Sequence, residues 1–307
     1  MESNHLEILL NRIDEAKRLI DQNRPLPNSI LKRLHEQMII EWTYNSNAIE
    51  GNTLTLKETK LVLEEGITVR NKPLKEYLEA INHKNAIEFI EELAKHENRI
   101  TERNIREIHS LILKEIDPEY AGIYRDINVR ITGSKHTPPD FLKVKELMQK
   151  FCRKKLNTKE HPIIEAALAH FELVSIHPFV DGNGRTARLL MNLILIKRGY
   201  FPAIILKNDR LKYYDVLEKA HQGKIEDFIF FVGRSLERTI YLYFEAMPKI
   251  KTNFITLKEA SELSNYSPDY LNVMARRGNI PAFKIKRNWL VAKDSFLKHL
   301  NSKKRKS

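Results

Sequence analysis

The sequence predicts a mainly α-helical protein: a helical bundle with one small β-hairpin, followed by a small basic domain of short helices and alternating strands. Three observations predict it. Apolar residues recur at helical spacing over most of the chain up to Ala246. One stretch, 122–134 (GIYRDINVRITGS), instead alternates, is β-branched and closes on turn residues. The charge is also uneven: of 52 Lys and Arg and 40 Asp and Glu, residues 249–307 hold 14 and 4, so most of the net +12 belongs to the C-terminal end.

With 307 residues there is room for one domain of ordinary size and a smaller one, and 42% hydrophobic residues supply a core. The single cysteine, Cys152, excludes an intramolecular disulfide and suits a reducing compartment. The N-terminal residues lack the basic start and apolar run of a signal peptide, and no apolar run approaches the ~20 residues of a membrane span. A cytoplasmic protein without a membrane partner is expected.

In chain order, Leu6, Leu9, Leu10, Ile13, Leu19 and Ile20 mark a helix over 4–22. Pro25 and Pro27 interrupt, and a second helix spans 29–49, with Gly51 as its C-cap. Thr55 and Glu58 form a capping box that opens a helix to residue 65. Further helices are expected over 75–95, 101–114, 141–155, 162–176, 211–221 and 225–246, with 248–253 as a linker.

The chemistry concentrates in His177–Arg188, HPFVDGNGRTAR. His177 is a base whose ordinary pKa lies near neutrality. Asp181 is a hard oxygen ligand of the kind Mg2+ takes beside phosphates. Gly182, Asn183 and Gly184 let the backbone approach an anion, and the apolar run 187–196 reads as a buried helix starting there. Its N-terminus offers free N–H groups and a favourable dipole. Arg185 and Arg188, three apart, project from one side and suit a polyphosphate.

These twelve residues resemble the Fic (Fido) motif, H-x-F-x-D/E-G-N-G-R-x-x-R, at every specified position. The resemblance covers roughly 35–245 and is close to the animal endoplasmic-reticulum Fic enzyme around SNAIEGNTLTLKET and AALAHFELVSIHPFVDGNGRTARLLMNLILIKRGY. It implies a Fic-type bundle and protein adenylylation: ATP with Mg2+ donates AMP to a Ser, Thr or Tyr hydroxyl of a target protein. His177 is then the general base, Asp181 the metal ligand, and Gly182 to Arg188 (with Thr186 and Ala187) the nucleotide cradle, while Phe179 anchors the loop in the core. The resemblance assigns Tyr213 and Tyr214 to the adenine side; being neighbours on a helix, they cannot both face a core. His221-Gln222 departs from the relative's Asn there. Ser46, Glu50 and Gly51 fall on the inhibitory motif S/T-x-x-x-E-G/N, so Glu50 is expected to pair with Arg188 and restrain transfer. The 122–134 hairpin becomes the flap that docks the target, at Ile131, Thr132, Gly133 and Ser134.

Beyond the linker, helices over 256–263 and 267–277, a two-stranded wing over 280–291 and a helix over 295–300 resemble the winged helix-turn-helix of excisionase and MerR type. Arg276 and Arg277 on the second helix, with Lys284, Lys286 and Arg287 on the wing, are the expected DNA contacts; a basic protein-docking domain remains the other reading. The domain division is 1–100 for the N-terminal helices, 101–247 for the catalytic core, 254–302 for the winged domain and 303–307 for a basic tail. Expected partners are a target protein, the chain itself through self-modification, a second copy in a homodimer, and DNA. Three other readings remain: the same site run backwards to remove AMP, with Glu50 orienting water; transfer of UMP, phosphocholine or phosphate; and a DNA-binding regulator with an idle Fic core.

Overall fold

The computed structural model describes residues 2–22, 28–68, 71–246, 254–285 and 288–304. Contacts divide the chain into two compact units, His35–Ser235 and Met1–Leu34 with Leu236–Ser307.

The first unit is helical. α2 (Asn28–Ile49) enters it from His35, followed by α3 (Leu56–Glu65), α4 (Leu74–Lys95), α5 (Glu102–Leu113), α6 (Phe141–Lys154), α7 (Pro162–Ile176), α8 (Asn183–Lys197), α9 (Arg210–His221) and the start of α10 (Ile225–Ala246). Local chemistry sets the starts. Thr55 with Glu58 and Thr101 with Asn104 form reciprocal capping boxes, and Pro162 occupies the first turn of α7. α8 packs against α7, α4 and α5. It is buried on all sides after its first turn: Leu189, Leu190, Met191, Leu193, Ile194 and Leu195 are all within 2% of complete burial, and the buried Asn192 is satisfied by accepting from the Ala203 N–H at 2.8 Å. A helix of this pattern belongs at the centre of a bundle. Each such side chain contributes roughly 1.5–3 kcal/mol on burial.

The hairpin expected over 122–134 is not formed. The segment is irregular and carries a turn closed by Ser134 N–H donating to the Ile131 carbonyl at 3.2 Å. Its polar groups are taken elsewhere. The Arg125 N–H donates to the Pro178 carbonyl, the Ile127 carbonyl accepts from Arg125, and the Asn128 side chain accepts from the Phe141 N–H.

The second unit holds α1 (Glu2–Gln22), the end of α10, β1 (Phe254–Thr256), α11 (Leu257–Glu262), α12 (Pro268–Arg276), β2 (Ala282–Ile285), β3 (Asn288–Ala292) and α13 (Lys293–Lys304). The sheet is antiparallel in the order β1-β3-β2, with Ile255 opposite Val291 and Phe283 opposite Leu290. Ala260, Leu271, Met274, Ile280, Val291 and Phe296 form its core. β1 adds a third strand to the two expected, and α1 packs against β2. The expected linker 248–253 lies outside the described residues.

Candidate active site

α7 ends in His177, whose φ of 51° places it in the left-handed region as the C-cap. That conformation is uncommon for a non-glycine residue and concentrates at functional sites. The His177 N–H donates to the Leu173 carbonyl at 2.9 Å, and Nδ1 lies 3.3 Å from the Val174 carbonyl. With Nδ1–H directed there, Nε2 carries the lone pair. Burial pushes the imidazole's pKa below its ordinary value, against the Val174 hydrogen bond.

The loop between α7 and α8 is held from several sides. Asn183 turns its side chain back, accepting from the Phe179 N–H at 3.0 Å and donating to the Phe179 carbonyl at 2.9 Å. Phe179 is fully buried and stacks on His109 with ring centroids 3.6 Å apart. His109 accepts from the Gly122 N–H at Nδ1, so Nε2 carries the proton donated to the Asp181 carbonyl at 2.9 Å. Burial lowers the His109 pKa to about 4 and keeps that ring neutral. Gly182, at φ 76°, caps α8, and a Cβ there would lie 3.3 Å from the His109 ring. Arg125 donates through Nε to the His177 carbonyl at 2.8 Å.

The cations are buried and paired. Arg185, 2% exposed, lies 3.3 Å from Glu79 and 3.4 Å from Asp181. Arg188, also 2% exposed, donates through Nε to Ser46 Oγ at 3.0 Å and through Nη2 to the Ser46 carbonyl at 2.8 Å. The same Nη2 lies 2.8 Å from Glu50 Oε1. Burial works against the charge on Arg188, but the pairing with Glu50 and the neighbouring Tyr213 and Tyr214 together raise the pKa. Nη1 of Arg188 is buried without a hydrogen-bond partner. A Cβ on Gly184 would strike the Glu50 carboxylate and stand 3.2 Å from that Nη1. Gly51 follows at φ 104°.

Asp181 is the exposed member of the set, its side chain 57% accessible, and Oδ1 accepts from the Gly182 N–H. Among the described residues no group of three or more His, Cys, Asp or Glu is placed to hold a metal.

Other expected site residues are placed differently. Thr186 and Ala187 are fully buried, so their side chains belong to the core of the bundle rather than to a cradle. Tyr213, 2% exposed, packs against His170, Phe228 and Phe231 and shares a hydrogen bond of 3.0 Å with His170, so no base can stack on it. Its neighbour Tyr214, about 100° further round the helix, is 38% exposed and reaches the Ile49 carbonyl at 3.4 Å. Ile131, Thr132, Gly133 and Ser134 form the turn after Arg125 rather than a strand. Arg276 closes α12 and Arg277 caps it, both exposed. Lys284 is in β2 opposite Trp289, whereas Lys286 and Arg287 lie outside the described residues, as does the end of the basic tail, 305–307. Glu79, His109 and Arg125 carry no motif in the sequence; His109 sits among Ile105, Ile108 and Ile112 and reads as a core residue.

Fold and site together define a helical bundle whose central helix opens on a glycine-containing loop, with a histidine before the loop and a buried arginine beyond it. The Fic/DOC family model matches residues 99–195, and a helix-turn-helix domain model matches 254–304. The C. elegans protein Fic-1 (residues 134–508) superimposes with a TM-score of 0.72 at 32% identity, covering 81% of this chain and 73% of that one. A Fic domain containing signaling protein from Bacteroides thetaiotaomicron gives a TM-score of 0.71 at 31% identity, covering 78% and 97%. The chain belongs to the Fic/DOC family. It is also 39% identical over 219 residues to the protein adenylyltransferase Fic of Drosophila willistoni, covering 70% of this chain and 44% of that one. The chain thus spans about half the length of the curated relatives it matches.

Proposed function

We propose that this chain is a protein adenylyltransferase that moves AMP from ATP to a hydroxyl of a target protein. The observation that carries the reading is the buried Arg188, whose Nη1 is left without a partner beside Gly184 at the start of α8. A guanidinium donor at a helix N-terminus is a natural seat for a polyphosphate. The helix's free amides from Asn183 onward add donors for charge that develops on the transferring phosphate.

His177 Nε2 accepts the hydroxyl proton of the target as its oxygen attacks the α-phosphorus. The bond from that phosphorus to the bridging oxygen breaks, and pyrophosphate leaves with the electron pair. Asn183 keeps the loop in shape through Phe179 rather than touching phosphate. Asp181 fits a Mg2+ that arrives with the nucleotide: Mg2+ is held by one or two carboxylates together with phosphates and water, and this carboxylate is single and exposed. When bound, that ion would neutralise phosphate charge. Tyr214 is the tyrosine left available to the adenine side.

Glu50 is read as a restraint, because Arg188 bonded to it is not available to an outer phosphate. Its position at the loop also supports the reverse reaction as a second reading, with Glu50 orienting a water against adenylylated protein. The helix-turn-helix at 254–304 supports DNA as a partner through Arg276 and Arg277. No helix among the described residues is long and apolar enough to cross a membrane; a cytoplasmic setting, a homodimer and the division at residues 100 and 247 belong to the same proposal. The test is incubation of the chain with labelled ATP: label on protein supports transfer, and release of AMP from labelled protein without transfer supports the reverse reaction.

A further inference from the structure

Within the segment between α5 and α6, the stretch 127–139 is tied at its two ends by one buried guanidinium. Arg125 donates to the carbonyls of Ile127 and Pro139 as well as to that of His177. Between those ends, the turn Ile131–Ser134 has a tie of its own. Glu218, on α9, accepts from the Ser134 hydroxyl with Oε1 and from the Lys135 N–H with Oε2 at 3.3 Å. Ser134 Oγ accepts in turn from the His136 N–H at 3.0 Å. His136 then donates from Nε2 to the Ser175 carbonyl at 2.8 Å, and its ring stacks on His221 at 3.9 Å. Ser175 stands two residues before His177 on the same helix end. Thr132 and Gly133 are exposed, and nothing lies within 4 Å of a Cβ built on Gly133.

We propose that Glu218 is a positioning residue for transfer: it fixes the exposed turn in one register relative to His177, so that the acceptor segment meets a turn already ordered. A turn without ladder hydrogen bonds has no strong preference of its own among backbone arrangements. One carboxylate that accepts from both a hydroxyl and an amide selects a single arrangement, and charge-assisted bonds are the stronger kind. An acceptor that docks on an ordered turn does not have to order it. Glu218 acts through Ser134 and Lys135, whereas Tyr214, one turn earlier on α9, is the residue read on the adenine side, so a loss of transfer without a loss of ATP affinity marks the positioning role.

The inference rests on the transferase reading, and the test separates the two. The full chain carrying Glu50→Gly is the parent, to which Glu218→Ala or Glu218→Gln is added. ATP affinity is measured by calorimetry, self-adenylylation across ATP concentrations, and exchange of the Lys135 amide by NMR or mass spectrometry. Misplacement by about 1 Å costs up to ~10²-fold in rate, so Glu218→Ala is expected to lower transfer at saturating ATP by about 10-fold or more. ATP affinity and the KM for ATP should stay as in the parent, and Lys135 exchange should accelerate. Glu218→Gln keeps one acceptor oxygen and should recover part of the rate. Parent-level transfer in Glu218→Ala, an equal loss of ATP affinity, or unchanged Lys135 exchange overturns the positioning role. A parent that transfers nothing overturns the transferase reading itself.

Discussion

Glu50, just past the end of α2, and Arg188, in the second turn of α8, form an ion pair of 2.8 Å, while the same guanidinium donates to both the hydroxyl and the carbonyl of Ser46. One helix end therefore presents a charged and a neutral acceptor to one arginine. The two are separable by mutation: Ser46 holds the side chain in place, and Glu50 occupies a donor that an outer phosphate would take on the proposed reading.

Replacing Glu50 by Gly is expected to raise self-adenylylation by at least ~10-fold, the equivalent of about 1.4 kcal/mol. Arg188→Ala should not mimic it, because on the proposed reading the freed arginine is what holds the nucleotide. Labelled ATP with each purified variant gives the comparison, and equal rates for wild type and Glu50→Gly would remove the restraint from the account.

Ser46→Ala should act on stability first. It leaves the Arg188 Nε, now bonded at 3.0 Å, unpaired inside the bundle. An unsatisfied buried donor costs about 1–3 kcal/mol, readable as a lower melting temperature. An unchanged melting curve would show that the contact contributes nothing.

Removal of the imidazole by His177→Ala is expected to reduce transfer by about 10²–10⁴-fold, the usual contribution of a general base. ATP binding should persist, since the proposed reading gives it to amides and arginines. Calorimetry beside the transfer assay tests the split; full activity in the variant would refute the role.

The pH profile follows from the same histidine. Its pKa is lowered by burial, so the neutral, proton-accepting form persists to lower pH than for an exposed histidine. The acid limb of kcat/KM should therefore fall below the ordinary histidine value of about 6.5. A limb at or above that value would contradict the assignment.

At the other end of the chain, duplex DNA should bind in a salt-sensitive manner. The slope of log affinity against log salt is about −0.9 for each phosphate neutralised. Arg276→Ala with Arg277→Ala should weaken binding and flatten that slope, as measured by fluorescence anisotropy on the full chain. Equal binding by the double variant would place the contact elsewhere.

The sequence made legible what is contiguous. His177 to Arg188 carries base, carboxylate, glycines and arginines within one loop and one helix, and α8 is readable from the largely apolar run that follows. Residues that meet only through helix packing were not: Glu79 on α4 and His109 on α5 have no local pattern that separates them from an ordinary surface acid and a core histidine. Alternation at 122–134 predicted a hairpin, yet a ladder also needs a partner strand, and Arg125 claims the carbonyls instead. Of two adjacent tyrosines one had to face inward, but which one depended on where His170 and Phe228 lay in the bundle. β1 is too short, at three residues, to show a period.

The ring that Asn183 closes onto the backbone of Phe179, backed by the His109 stack, has a thermodynamic consequence. The loop's shape is settled when the bundle folds and does not wait for a nucleotide to arrive. Its freezing belongs to the entropy of folding, not to the entropy of association, so on the proposed reading a nucleotide would not have to order this loop on arrival.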